Sequence, residues 1–278
     1  MPLYNPPMAS REKEYLFIDG GCLNASVRKI CQELFGDPNC YRAYIPSFAG
    51  GFDKVFYYDA VPAKEHGEND AAYEARVQPE HDRFAKIQAL DRVHVALGHI
   101  VGSNRRQKGV DVRLAVDMMT YAFRGTITKA TLFAGDADFV PLIEALVREG
   151  LHVTLWHPAQ ANERLRGAAD TTRLFEFKRD FTCLTSDGQK PAFRFLSSGS
   201  GQISSSLSTI TNVGDWWFSG SWRNGELEIW RTKNRESWEF SILSAPGADL
   251  QAAARAFDMV YPWDIAATAE QWVERAAP

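Results

Sequence analysis

Two apolar runs in this 278-residue chain stop abruptly at carboxylates. Leu132-Phe-Ala-Gly-Asp136-Ala-Asp138-Phe-Val-Pro-Leu142 sets two acids one residue apart behind a glycine, and Tyr15-Leu-Phe-Ile-Asp19-Gly-Gly ends in the same way. Carboxylates at strand ends of an α/β chain stand where such folds bind ligands. Several converging on one spot repel one another unless a cation holds them. The chemistry suggested is a divalent-metal site and, with it, work on phosphates. Mg2+ and Mn2+ favour hard oxygen ligands and keep several waters, so a few carboxylates suffice. Such an ion can orient an attacking water and offset charge on a scissile phosphate, and two ions about 4 Å apart can clamp both the attacking and the leaving oxygen. Taken singly, Asp19, Asp136 or Asp138 would serve equally well as a helix N-cap.

The elements that must position these acids follow from hydrophobic patterning. Strands are expected at 15–19, 54–61, 93–101, 130–134, 152–157 and 174–177, with helices at 22–35, 70–90, 110–123, 139–149 and 161–169. Strands with unbroken apolar runs, alternating with helices, predict a parallel α/β sheet covered on both faces and joined by right-handed crossovers. In the 110–123 helix, Val112, Ala115, Val116, Met119, Ala122 and Phe123 share one face at three- and four-residue spacing, which predicts the buried side. Asp111 falls in its first turn, where a carboxylate suits the positive end of the helix dipole. Asp117 lies about 120° around the axis from Asp111, so it is only a secondary candidate.

The character changes after about residue 185. Ser197-Ser-Gly-Ser-Gly-Gln and Ser204-Ser-Ser-Leu-Ser read as a polar linker or long loop. Strand patterns rich in aromatics follow: Trp216-Trp-Phe-Ser-Gly-Ser-Trp222, Leu227-Glu-Ile-Trp230 and Ser237-Trp-Glu-Phe-Ser-Ile-Leu243, with Asn224-Gly225 as a hairpin signal. Helices are expected at 249–260 and near 269–276. This divides the chain into an α/β domain at 14–182 and a small antiparallel β plus α domain at 190–278. Tryptophan and tyrosine on a strand face can stack on unpaired bases, worth about 1–3 kcal/mol per base. Tryptophan more often anchors a small core. With few basic residues nearby and no recognisable RNA-binding signature, the C-terminal aromatics read as core or as a surface for a protein partner or a second copy.

Net charge is −4 with an isoelectric point near 5.9, so any basic surface must be local. Asn104-Arg105-Arg106-Gln107-Lys108 is such a segment, just ahead of Asp111. Arg105, Arg106 and Lys108 either hold phosphates flanking the cut site or form a solvated loop. Arg164 and Arg166 are weaker candidates of the same kind. The first residues carry no apolar signal core, and no run of about 18 apolar residues appears, so no membrane span is expected. Four scattered cysteines without a CxxC pair favour free thiols in a reducing cytoplasm over disulfides or a zinc knuckle. No HExxH, GxSxG or Walker A pattern is present.

Phe17-Ile-Asp19-Gly-Gly, Lys108-Gly-Val-Asp111-Val-Arg-Leu-Ala-Val-Asp117 and Ala134-Gly-Asp136-Ala-Asp138-Phe-Val-Pro-Leu142, in that order, resemble the NYN domain, a PIN-like nuclease fold, and within it the bacterial LabA-like branch. Val55-Phe-Tyr-Tyr-Asp59 fits the second strand, and the resemblance spans roughly 14–180. It implies a divalent-metal-dependent endoribonuclease, with nucleic acid, RNA foremost, as partner and Mg2+ or Mn2+ as cofactor. Its acids map to Asp19, Asp111 and Asp136, with Asp138 as a fourth that binds metal or positions water, and Asp117 as an outlying fifth. One departure stands out. Many members carry an asparagine as DGxN after the first acid; here Gly20, Gly21 and Cys22 follow Asp19, and Asn24 either takes that role further along or the role is absent. That departure keeps open a non-catalytic module that binds RNA or protein, and related folds that cut DNA keep open a DNA or structure-specific nuclease.

Overall fold

In a computed structural model of the chain, the described residues are 12–100, 107–202, 210–213 and 215–267. Two compact units emerge: Met1–Ala25 with Ala49–Phe175, and Ser26–Phe48 with Glu176–Pro278. Segment 26–48 thus groups with the C-terminal residues, which a linear division between 182 and 190 does not capture. In chain order the elements up to the end of the first unit are β1 (Glu14–Asp19), α1 (Gly20–Phe35), β2 (Arg42–Ala43), α2 (Pro46–Ala49), β3 (Lys54–Val61), α3 (Asp70–Gln88), β4 (Val93–Ile100), β5 (Gln107–Lys108), α4 (Val110–Phe123), β6 (Lys129–Phe133), a 3-10 turn (Ala137–Phe139), α5 (Val140–Arg148), β7 (His152–His157), α6 (Glu163–Ala168) and β8 (Thr171–Leu174). The remainder are α7 (Phe177–Asp180), a second 3-10 turn (Phe181–Cys183), β9 (Leu184–Thr185), β10 (Arg194–Gly201), β11 (Ile210–Val213), β12 (Trp216–Arg223), β13 (Glu226–Thr232), β14 (Trp238–Ser244) and α8 (Leu250–Val260).

The first unit is the expected parallel sheet, in the order β5-β4-β3-β1-β6-β7-β8, with only the short edge strand β5 antiparallel. Tyr15, Leu16, Phe17 and Ile18 are all buried, as are six successive residues of β3. Both faces of these strands are covered, which is why neither run alternates with polar residues. One core packs Phe17 and Leu132 of the sheet against Leu114 and Met118 of α4 and Ile143 and Leu146 of α5. The chain leaves β1 for β3 and β4 on one side, then returns through α4 to β6 on the other side. Strand order therefore reverses between neighbours β1 and β6, and a crevice opens beyond the carboxyl ends of two strands whose connections diverge.

The turn from β1 into α1 is tight. A Cβ at Gly20 would stand 2.7 Å from the Tyr58 carbonyl oxygen and 2.8 Å from the Tyr57 ring, so only glycine lets α1 start against β3. Helix α4 buries only part of the expected stripe: Ala115, Met119 and Ala122 pack, partly buried, against the core. Val110, Leu114 and Met118 face the core, whereas Val112, Val116 and Phe123 are 66%, 55% and 58% exposed. The helix carries two overlapping apolar stripes, and periodicity alone does not say which one the sheet receives.

The second unit contains an antiparallel sheet in the order β10-β14-β13-β12-β11. Asn224 (φ 52°) and Gly225 (φ 76°) form the β12–β13 turn, the pair of positive φ values that a two-residue hairpin of this twist requires. Ser197-Ser-Gly-Ser-Gly is not a linker: it lies within edge strand β10, paired with β14 through Ser198↔Ser241 and Gly199↔Phe240. The Phe240 ring fills the space where a side chain at Gly199 would go, with its edge 3.2 Å from that position, and it stacks at 4.6 Å on Trp230. Pairing and aromatic cover offset the weak strand propensity of serine and glycine. Asp249 caps α8 by accepting the Ala252 N–H at 2.7 Å, and Phe257 packs against Phe195 and Trp263. The stretch 204–208 and the expected helix at 269–276 lie outside the described residues. Among the described residues, no helix is long and apolar enough to cross a membrane.

Gly20→Ala is expected to destabilise the chain by about 1–3 kcal/mol, as overpacking of a close contact does. Urea unfolding measures it, and an unchanged midpoint would show that α1 does not need this approach.

Candidate metal centre

Each acid is placed by the start of a helical segment. Asp19 closes β1 and caps α1, its Oδ1 accepting the Cys22 N–H at 3.1 Å. Asp136 follows β6 and caps the 3-10 turn that leads into α5, its Oδ1 accepting the Asp138 N–H at 3.0 Å. Asp111 stands in the first turn of α4. These capping bonds turn the carboxylates back toward the crevice between β1 and β6. There Asp19, Asp111 and Asp136 line a single open cavity of about 640 Å3, together with Cys22, Gln160 and Asn162.

Their charges act on one another. Burial pushes the Asp19 carboxyl up from 3.8 to about 6; the Asp111 and Asp59 charges push the same way, and the Cys22 and Gly21 N–H groups pull down. Asp111 is raised by desolvation first and then by the charges of Asp136 and Asp138. Asp138 is absent from the cavity lining. It contributes the N–H that orients Asp136 and a charge that reaches Asp111.

This donor set fits one kind of ion. Among the described residues, no three His, Cys, Asp or Glu side chains converge closely enough to enclose a metal. A closed structural zinc site is therefore not built here. Mutually repelling carboxylates around an open cavity suit an ion that takes some of them directly and meets the others through the waters it keeps, as Mg2+ does. Asp19, Asp111 and Asp136 are the residues that would hold it.

The secondary candidates fall elsewhere. Asn24 is not among the cavity-lining residues; it joins a network on β3, where its Nδ2 donates to Asp59 Oδ2 at 3.0 Å and to the Tyr57 hydroxyl at 3.2 Å. Tyr57 O–H donates to Asp59 at 2.8 Å, and Arg83 pairs with Asp59 at 3.1 Å and with Glu80 at 2.7 Å. Cys22, rather than Asn24, lines the cavity. Asp117 points away to Tyr58, whose hydroxyl donates to it at 3.0 Å, with Arg113 at 3.9 Å. Arg105 and Arg106 lie outside the described residues, and Lys108 ends β5, paired through its backbone with His99. Asp59 was missing from the expected site although it is 4% exposed and its charge bears on Asp19. Its signal was an acid embedded in an apolar strand. Gln160 and Asn162 were also missed, because polar residues in the loop after β7 carry no signal of their own.

The acid-lined crevice lies at the strand-order reversal of a parallel sheet, the position at which α/β domains of this class bind ligands. Residues 15–176, more than half the chain, match the NYN domain, so the chain belongs to the NYN domain family, with its PIN-like nuclease fold. Among solved structures, it is similar to a Vibrio parahaemolyticus protein of unknown function at 17% identity and a TM-score of 0.40, covering 61% of this chain and 96% of that one. Comparison with curated proteins gives no match.

The raised Asp19 carboxyl has a definite sign in stability. The native state binds its proton more tightly than the unfolded chain does, so this group's contribution falls as pH rises from about 4 to about 6 and stays unfavourable above. Asn is also a good N-cap. Without divalent ions, Asp19→Asn is therefore expected to be more stable than the parent above pH about 6, by roughly 1–3 kcal/mol, and to lose that advantage below pH about 4. Urea titrations across this range test it; a difference independent of pH would contradict the burial of a charged Asp19.

Proposed function

We propose that the chain is a divalent-metal-dependent nuclease that hydrolyses RNA phosphodiester bonds, with Asp19, Asp111 and Asp136 holding Mg2+ or Mn2+. The observation that carries this reading is that acids from three distant segments line one cavity, where burial and neighbouring carboxylates raise the proton affinity of Asp19 and Asp111. Membership of the NYN family supports it. A bound ion of this class supplies positive charge to offset what develops on a scissile phosphate. The chain's own part is to bind and orient. Helix-start N–H groups fix Asp19 and Asp136, Asp138 holds Asp136 through its backbone, and the open cavity admits a polymer strand. We assign Arg105, Arg106 and Lys108 to the flanking phosphates, where cations position a backbone without reading sequence.

The reading predicts Mn2+-dependent cleavage of single-stranded RNA that drops on the order of 100-fold in Asp19→Asn, Asp111→Asn or Asp136→Asn and persists in Asp117→Asn. Metal-dependent cutting that survives Asp19→Asn and Asp136→Asn unchanged would sink it. Matched RNA and DNA strands assayed side by side test the sugar assignment, since contacts to phosphate do not sense the 2′-hydroxyl. A second reading, a binding module without turnover, draws on the lack of a converged three-ligand cluster among the described residues and on Cys22 in the cavity wall. RNA binding with no cleavage under any divalent ion would favour it.

A further inference from the structure

The C-terminal sheet carries a layered arrangement of cations and indoles that the α/β site does not use. Trp216 and Trp217 open β12, and register sets them beside the end of β13, with Trp217↔Thr232 and Phe218↔Arg231. Arg231 lies 4.2 Å from the Trp216 ring centre and 4.0 Å from that of Trp263, and both its Nε and Nη2 reach Glu239. Its charge is satisfied, so it belongs to the fold.

Lys233 and Arg235 differ. Both are exposed. Lys233 sits 4.8 Å over Trp216, and Arg235 stacks 3.6 Å over Trp217. Among the described residues, neither pairs with a carboxylate; the Glu236 carboxylate instead accepts the Asn234 amide at 3.5 Å. Arg235 is held at φ 63°, an uncommon conformation for a residue with a side chain. The loop maintains it: Arg235 N–H donates to Thr232 Oγ1 at 3.1 Å, and Thr232 Oγ1 donates to the Ser237 carbonyl at 2.6 Å. The loop thus presents a guanidinium over an indole, with a second cation over the neighbouring indole.

We propose that this end of the sheet binds single-stranded nucleic acid. Bases stack on the Arg235–Trp217 pair, and Lys233 and Arg235 meet the phosphates. Each nucleotide offers both an anion and a flat ring, which matches alternating cations and indoles. An acidic peptide offers the anion alone. The exposed acids Asp215 and Glu236 border the surface and limit it to a short stretch of strand. The proposal does not depend on whether the α/β unit cuts RNA.

The test is fluorescence anisotropy of a short labelled oligouridylate with the full chain in EDTA, where turnover plays no part. The double variant Lys233→Gln/Arg235→Gln is expected to bind roughly tenfold more weakly at low salt and to show a plot of log affinity against log salt shallower by about 1.4, from two lost contacts at about 0.7 each. Trp217→Leu is expected to weaken binding while leaving that slope unchanged, as loss of stacking does. Near-UV circular dichroism establishes that the variants are folded. Unchanged affinity and slope in the folded double variant would overturn the proposal. So would a shift in sedimentation from dimer to monomer with oligonucleotide affinity intact, which would assign the face to a second copy. Cleavage with Mn2+ is scored separately through Asp136→Asn, so failure of the nuclease reading leaves this test standing.

Discussion

Like-charged carboxylates held close together at one end of a sheet are the constraint on which the α/β unit depends. Burial raises the proton affinity of Asp19 and Asp111; the Asp111 and Asp59 charges add to the rise at Asp19, and those of Asp136 and Asp138 to the rise at Asp111. Left alone, such a group would push itself apart or take up protons. The fold answers with helix starts. Asp19 precedes α1, Asp111 stands in the first turn of α4, and Asp136 caps the turn into α5. Each therefore meets backbone N–H groups or the positive end of a helix dipole, which favours the anion. Strand order requires this meeting, because the chain crosses from one side of β1 to the other before making β6.

Helix capping and the proposed ion binding are accordingly compatible in these residues. A carboxylate has about four acceptor sites. The capping bond uses one, and by fixing the side-chain rotation it orients the others. The part-buried Asp59, Asn24, Tyr57 and Arg83 network works in the same direction, since it anchors the Asp59 charge on the neighbouring strand to a guanidinium. Asp117 makes the contrast: satisfied by the Tyr58 hydroxyl, it sits in the same helix as Asp111 without sharing the cavity.

How far the sequence could be read follows from which signals are local. Asp19, Asp111 and Asp136 were legible because each sits where an apolar run ends or a helix begins, and the parallel sheet was legible from unbroken runs such as Tyr15–Ile18. The inward stripe of α4 was not, since 112/116/123 and 110/114/118 are both apolar and only the sheet chooses between them. Strand β10 was hidden because its stability comes from β14 and from the Phe240 ring, not from its own serines and glycines. That Cys22 and not Asn24 lines the cavity was hidden for a similar reason: which side of α1 meets the cavity depends on how closely Gly20 lets the helix approach β3.

The most direct measurement of the central claim is Mn2+ binding to the full chain by electron paramagnetic resonance, compared across Asp19→Asn, Asp111→Asn and Asp136→Asn. If acids from three separate segments share one ion, each substitution alone should weaken Mn2+ affinity by about tenfold or more. Mn2+ affinity unchanged by Asp111→Asn, or binding that depends on only one of the three, would contradict a shared metal centre.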